Sequence, residues 1–137
     1  MSDFKGRLET EFSELKSKLN GLSSFLQSEK VKELPQEQQI LLVEQFHYMD
    51  GYFKALEKRI ALLEGVKLEG GETFGMERVK LSFNPSGNPQ VNLVKRIQAD
   101  FIDLAQELKA SGSDARYTSI AQTEAETASM YLVKSLF

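Results

Sequence analysis

Two stretches in the first half of the chain repeat apolar residues at alternating spacings of four and three, the pattern of an amphipathic helix with one packed face. The first stretch contains Leu8, Phe12, Leu15, Leu19, Leu22 and Leu26. The second contains Leu42, Phe46, Met49, Phe53, Leu56, Ile60 and Leu63. Pro35 precedes the second stretch and suits the first turn of a helix, where its missing N–H is not needed. The pattern therefore predicts an antiparallel helical hairpin at residues 1–64.

The pattern changes at residue 65. Four glycines lie between residues 65 and 75, separated mainly by polar residues, and predict a glycine-rich linker at residues 65–77. After it, Val79, Leu81 and Phe83 alternate with polar residues, and this period of two predicts a short extended segment. That segment ends at 84–89, Asn-Pro-Ser-Gly-Asn-Pro, which is typical of a turn.

Residues 78–137 predict a module of two helices that binds a ligand. Asn88 can cap the first helix, with Pro89 in its first turn, and either Ser113 or Asp114 can cap the second. A third four-three series runs through the first of these helices: Val94, Ile97, Phe101, Leu104 and Leu108. The second helix holds the small residues Ala121, Ala125, Ala128 and Ser129. The helical series predict an all-α fold. Small residues allow close packing against another backbone, so we also expect the protein to form oligomers.

Composition limits the possible partners. Hydrophobic residues make up 41% of the 137 residues, which is enough for a modest core and favours further burial between subunits. The net charge of −3 argues against binding DNA, an RNA polymer or an anionic membrane. There is no cysteine, and no apolar run approaches the ~20 residues that cross a bilayer. We expect a protein of the cytoplasm.

Residues of the kinds that catalyse reactions or hold metals are present but not arranged in a recognisable pattern. His47 has Glu44 and Asp50 three residues away on either side, but surface helices contain many such neighbours. The sequence contains no phosphate-binding glycine motif, nucleophile elbow or pair of histidines. We therefore expect no enzyme, no metal and no cofactor.

A positive patch surrounds the predicted turn. Between residues 78 and 98 the charged residues are Arg78, Lys80, Lys95 and Arg96, with no acid among them. The start of the following helix adds unpaired N–H groups and the positive end of the helix dipole, which favour a small ligand that carries phosphates. Phe83, and Tyr117 if it lies nearby, can stack on a base. The alternative is an ordinary helix start with Phe83 in the core.

Three segments of the second half share one resemblance: the run 83–91, the helix through Ile97, Leu104 and Ala105, and the run 114–126. They resemble a family of small phage proteins, the anti-CBASS sponges that sequester cyclic-nucleotide immune signals. The resemblance implies an oligomer that binds cyclic di- or trinucleotides intact and so deprives the host effector of its signal. The family's stacking aromatic corresponds to Phe83, but a basic residue that meets phosphate in the family corresponds here to Gln98. The predicted ligand-binding residues are Phe83, Asn84, Pro85, Lys95, Arg96, Gln98, Arg116, Tyr117 and Thr118.

The N-terminal hairpin, for example at 49–52 and 56–60, resembles short helical proteins of phages that infect gut bacteria. The two resemblances together imply a phage protein that acts in the cytoplasm of the infected bacterium. The alternative function is a helical interaction protein that docks on a host or virion protein.

Overall fold

The computed structural model describes residues 2–65 and 71–137. The chain divides into two compact units, Met1–Glu69 and Gly70–Phe137. The described residues form five α-helices and one 3-10 helix and contain no strand, which confirms the all-α prediction. The part of the predicted linker at 66–70 lies outside the described residues. No helix within the two described ranges is long and apolar enough to cross a membrane.

The first unit is a hairpin of α1 (Ser2–Leu26) and α2 (Gln36–Leu63), joined through a 3-10 helix (Glu29–Glu33). The two helices are antiparallel, since Lys5 near the start of α1 forms an ion pair of 3.5 Å with Glu64 just after α2. Both predicted four-three series supply the core, which comprises Leu8, Leu15, Leu56, Phe12, Met49, Phe53 and Ile60. Pro35 occupies the N-cap of α2 rather than its first turn.

The second unit contains α3 (Phe74–Arg78), α4 (Pro89–Ala110) and α5 (Ala115–Lys134), of which α4 and α5 form a second hairpin. The predicted caps are present. The side chain of Asn88 accepts a hydrogen bond from the N–H of Gln90, and Asp114, rather than Ser113, accepts from the N–H of Tyr117. Helix α3 lies where the linker was predicted to end, and it packs against α4.

The core of this unit does not use the predicted four-three series of α4. Val91, Ala99, Ile102 and Ala105 are the buried residues of α4, and Gln122, Ala125 and Ser129 are those of α5. Small side chains on both helices let the two backbones approach closely, which directs the larger side chains of α4 to one flank. Four of the five residues in the predicted series, Ile97, Phe101, Leu104 and Leu108, are consequently exposed in the single chain.

The prediction of an extended segment at 79–83 is wrong, since residues 79–82 form turns and the described residues contain no strand. Lys80 has a φ of 56°, the N–H of Leu81 donates to Met76 O at 3.0 Å, and the N–H of Lys80 donates to Glu77 O at 3.2 Å. This is the Schellman motif that ends many helices. Val79 and Leu81 both contact the core because they continue the end of α3, and three alternating residues are too few to distinguish this from a strand.

Candidate ligand-binding site

The predicted turn is placed by α3, which packs against α4 through a glycine. The N–H of Gly75 donates to Asp103 Oδ1 at 2.7 Å. A Cβ atom at Gly75 would lie 2.1 Å from the backbone oxygen of Ala99, so the two helices are too close here for any other residue. This contact fixes where the chain leaves α3 and enters the turn.

Arg78, the first basic residue of the predicted positive patch, forms an ion pair with an acidic side chain. Its Nε and Nη2 atoms lie 2.7 and 2.6 Å from Glu126 Oε2, and its guanidinium lies 5.2 Å from the centre of the Phe74 ring. The ion pair joins α3 to α5 and neutralises Arg78. No local pattern indicates this pairing, because the partners are 48 residues apart.

The turn at 84–88 is held together by its own polar side chains. Nδ2 of Asn84 donates to the backbone oxygen of Asn88 at 2.9 Å and to Oδ1 of Asn92 at 2.8 Å. Ser86 Oγ donates to Asn84 Oδ1 at 2.7 Å and accepts from the N–H of Asn88 at 3.1 Å. Gly87 has a φ of 68°, a conformation that favours glycine. Asn84 thus shapes the turn, while Pro85 is exposed on it.

The N–H groups expected to be unpaired at the start of α4 already have acceptors, so that part of the prediction is wrong. Pro89 has no N–H, Gln90 donates to Asn88 Oδ1 at 2.9 Å, and Val91 donates to Asn88 O at 3.1 Å. An anion at this end of α4 would therefore depend on cationic side chains and on the helix dipole.

Phe83 is presented to solvent beside a lysine. Its side chain is 65% exposed, which contradicts the alternative that it belongs to the core. Lys95 Nζ donates to the backbone oxygens of Lys80, at 2.9 Å, and of Phe83. The same ammonium lies 5.6 Å from the centre of the Phe83 ring, and partial burial lowers the pKa of Lys95. Lys95 therefore holds the turn and the aromatic ring together.

Two other cationic groups lie near this turn. Lys80 is exposed, and Arg96 forms an i,i+4 ion pair of 3.8 Å with Asp100. Such a long, partly exposed pair is weak, so the guanidinium of Arg96 can turn toward an anion at small cost. Gln98, two residues further along α4, is half-buried.

The remaining predicted residues, Arg116, Tyr117 and Thr118, lie in the first turn of α5. Arg116 and Tyr117 are exposed, and Thr118 Oγ1 donates to Asp114 O at 3.0 Å. Phe83 precedes α4 and Tyr117 follows it. A helix of 22 residues is about 33 Å long, so one chain places the two aromatic rings at opposite ends of the hairpin.

Gln122 is not identified as a buried residue from the sequence, although it is almost fully buried between α4 and α5. Its Nε2 donates to Ile102 O at 3.1 Å and to Gln106 Oε1 at 2.9 Å, and its Oε1 accepts from Lys109 Nζ at 3.2 Å. The three-four spacing of Gln122, Ala125 and Ser129 was the available signal for this buried face.

A resident metal has no evident binding site in the part of the chain that the structure describes. No group of three or more His, Cys, Asp or Glu side chains among those residues is placed to hold one. His47 is exposed on α2, where its ring contacts the ring of Tyr48.

Comparison with known proteins assigns a family to each unit. Residues 76–137 match the Acb2/Tad1 hairpin domain, and residues 2–62 match the Sequestin family. An uncharacterized 7.5 kDa protein from the denB-rIIB intergenic region of Enterobacteria phage T4 is 41% identical over 61 residues, which cover 44% of this chain and 95% of the phage T4 protein. No solved structure matches the chain. The chain therefore carries a C-terminal domain that matches the Acb2/Tad1 hairpin domain of the anti-CBASS sponge family, and an N-terminal domain that matches Sequestin.

Proposed function

We propose that this protein is a phage anti-defence sponge that binds cyclic di- or trinucleotide immune signals in the cytoplasm of the infected bacterium and releases them unchanged. The Acb2/Tad1 hairpin domain supports the class of function. The observation that carries the choice of ligand is Phe83, an exposed aromatic ring on a turn whose polar side chains are bonded to one another. A rigid, solvent-facing ring stacks on a base with little loss of conformational entropy.

We assign the phosphate contacts to the basic side chains that the fold leaves available. Arg78 is committed to Glu126, and Lys95 is committed to two backbone oxygens. Lys80 and Arg96 are therefore the main candidates to meet the phosphates. Lys95 contributes its positive charge close to Phe83 and keeps the ring in position.

The site is completed by a second copy of the chain. Arg116, Tyr117 and Thr118 lie at the far end of the hairpin from Phe83, so they reach the same ligand when they come from a neighbouring subunit. An uncovered apolar stripe on α4, formed by Ile97, Phe101, Leu104 and Leu108, supports such an assembly. Exposed stripes with this regular spacing are typical of helices that pack against a partner.

The proposal is tested by adding cyclic di- and trinucleotides and ADP-ribose-derived signals to the full chain and measuring thermal shift. A ligand that binds is then released by heating the complex and analysed by chromatography. The proposal predicts that the cyclic molecule is recovered intact. Recovery of a linear or hydrolysed product would make the protein an enzyme, and failure of every nucleotide to bind would favour docking on a host or virion protein.

Phe83→Ala is expected to weaken binding of the cyclic nucleotide by about 1–3 kcal/mol, or roughly 5- to 150-fold, because one stacked base loses its partner. Isothermal titration calorimetry measures the change. The matched control is Phe137→Ala, which removes another exposed ring outside the helices. Equal affinities for Phe83→Ala and the unchanged protein would exclude stacking at this turn.

Lys95→Met and Arg96→Met are expected to differ in their effects. Arg96→Met removes a charge-assisted phosphate contact and should weaken binding at least about tenfold, with little effect on stability. Lys95→Met also removes two hydrogen bonds that close the turn, and should lower the free energy of unfolding by about 1 kcal/mol. Calorimetry and urea unfolding separate the two effects. If Arg96→Met alone lowered stability, then Arg96 rather than Lys95 would be the residue that holds the turn.

A further inference from the structure

Helix α2 has a second apolar face that nothing in the described part of the first unit covers. One face packs against α1 through Leu56 and its neighbours. Ile40, Tyr48 and Leu62 are exposed apolar side chains on the opposite face, and Leu41, Val43 and Tyr52 are exposed on its flanks. Tyr48 and Leu62 are 73% and 64% exposed. A hairpin of two helices buries little surface on its own, so a partner on this face would stabilise it.

Gly51 lies in the middle of that face and has no evident role in the single chain. A Cβ atom added there would meet nothing within 4 Å. Glycine in the interior of a helix costs about 1 kcal/mol relative to alanine, and among the described residues of this unit neither a turn nor a neighbour requires it. Close approach by a second helix would explain it, because glycine exposes backbone to its neighbour.

Two of the three pairs of residues placed symmetrically about Gly51 on this face are complementary. Four, seven and eleven positions before it stand His47, Glu44 and Ile40, and at the same distances after it stand Ala55, Lys58 and Leu62. Spacings of four, three and four keep all of these residues on one helical face. Each apolar end residue therefore has an apolar counterpart, and the acid has a base as its counterpart.

We propose that α2 pairs with α2 of a second copy in antiparallel orientation, about a two-fold axis at Gly51. The pairing brings Ile40 against Leu62 and Glu44 against Lys58, and the symmetry makes each contact twice. A parallel pairing would instead oppose Glu44 to Glu44 and Lys58 to Lys58, which like-charge repulsion disfavours. Two hairpins joined in this way form an arrangement of four helices with both faces of α2 covered.

This interface is separate from the proposed nucleotide site. All of its residues lie in the first unit, whereas Phe83, Arg96 and Tyr117 lie in the second. The inference does not rest on the proposed function, and either one can fail without the other.

The sharpest test is a cysteine at the proposed axis. Because the chain contains no cysteine, Gly51→Cys introduces a single thiol into the full-length protein. A disulfide forms when the two Cα atoms lie about 4.4–6.8 Å apart. In the proposed pairing the two copies of residue 51 face each other at the axis, where the helices approach closely enough for this bond. The matched control is Gly21→Cys, also an exposed mid-helix glycine with nothing within 4 Å of an added Cβ. Under mild oxidation we expect disulfide-linked dimers on a denaturing gel for Gly51→Cys, and only background for Gly21→Cys.

Charge exchange then tests the orientation. In the Gly51→Cys background, Glu44→Lys or Lys58→Glu alone is expected to lower the initial rate of dimer formation at least about fivefold, since each creates two like-charge contacts. The two substitutions together should restore the rate. Equal yields for Gly51→Cys and Gly21→Cys would overturn the proposal, and failure of the double variant to recover would overturn the antiparallel pairing.

Discussion

Gly75→Ala is expected to displace α3 from α4 and to lower the free energy of unfolding of the second unit by about 2–4 kcal/mol. The added Cβ would lie 2.1 Å from the backbone oxygen of Ala99 and 2.9 Å from Asp103 Oδ1. The obstacle at Ala99 is the backbone of a packed helix, which cannot move aside as a flexible side chain can. Burial of Val79 and the hydrogen bond from Gly75 to Asp103 are lost together.

Urea unfolding followed by circular dichroism measures this loss, and Gly21→Ala provides the control. Gly21 lies in α1 with nothing within 4 Å of an added Cβ, so alanine there is expected to raise stability by about 0.5–1 kcal/mol. The two glycine-to-alanine changes thus have opposite predicted signs. An increase in stability for Gly75→Ala would show that α3 does not pack against α4 in solution.

The double substitution Phe101→Asp and Leu104→Asp is expected to prevent chains from associating through α4 of the second unit, and so to break the proposed assembly. Both side chains are exposed in the single chain, so the fold should tolerate the change. Within an interface each carboxylate would be buried without a partner, at a cost of several kcal/mol. Nucleotide binding should fall in parallel, since the neighbouring subunit no longer supplies Tyr117.

Light scattering gives the mass of the assembly, and circular dichroism checks that the helices remain. Ser17→Asp with Ser24→Asp is the matched control, because it adds the same two charges at exposed positions of α1. Unchanged mass and affinity for the Phe101→Asp and Leu104→Asp variant would place the subunit contacts elsewhere.

Local signals in the sequence were sufficient for most of the secondary structure. The four-three series located α1 and α2 and supplied the core of their hairpin. Asn88 and Asp114 marked the starts of α4 and α5 because a cap depends on residues two or three positions away. Phe83 and the basic residues around the turn also form a cluster in the sequence, but the exposure of the ring and the contacts of these residues depend on the fold.

What the sequence did not reveal depends on distant residues or on close packing. The sequence predicts Arg78 as a free basic residue, but Glu126 reaches it once α5 folds back along α4. No local pattern indicates that Lys95, a predicted ligand-binding residue, also donates to carbonyl oxygens fifteen and twelve residues earlier. The stripe of α4 that faces the core follows alanines rather than the largest residues, because small side chains determine how closely two helices approach.

The position of Lys95 also limits how many bases can stack on Phe83 in the proposed site. Its ammonium lies 5.6 Å from the centre of the Phe83 ring and so occupies one of the two faces of that ring. A base that stacks on Phe83 has the other face alone. In the proposed site each turn then offers a single stacking face at Phe83, and a further base of the same signal must stack on another ring, such as Tyr117 of a neighbouring subunit.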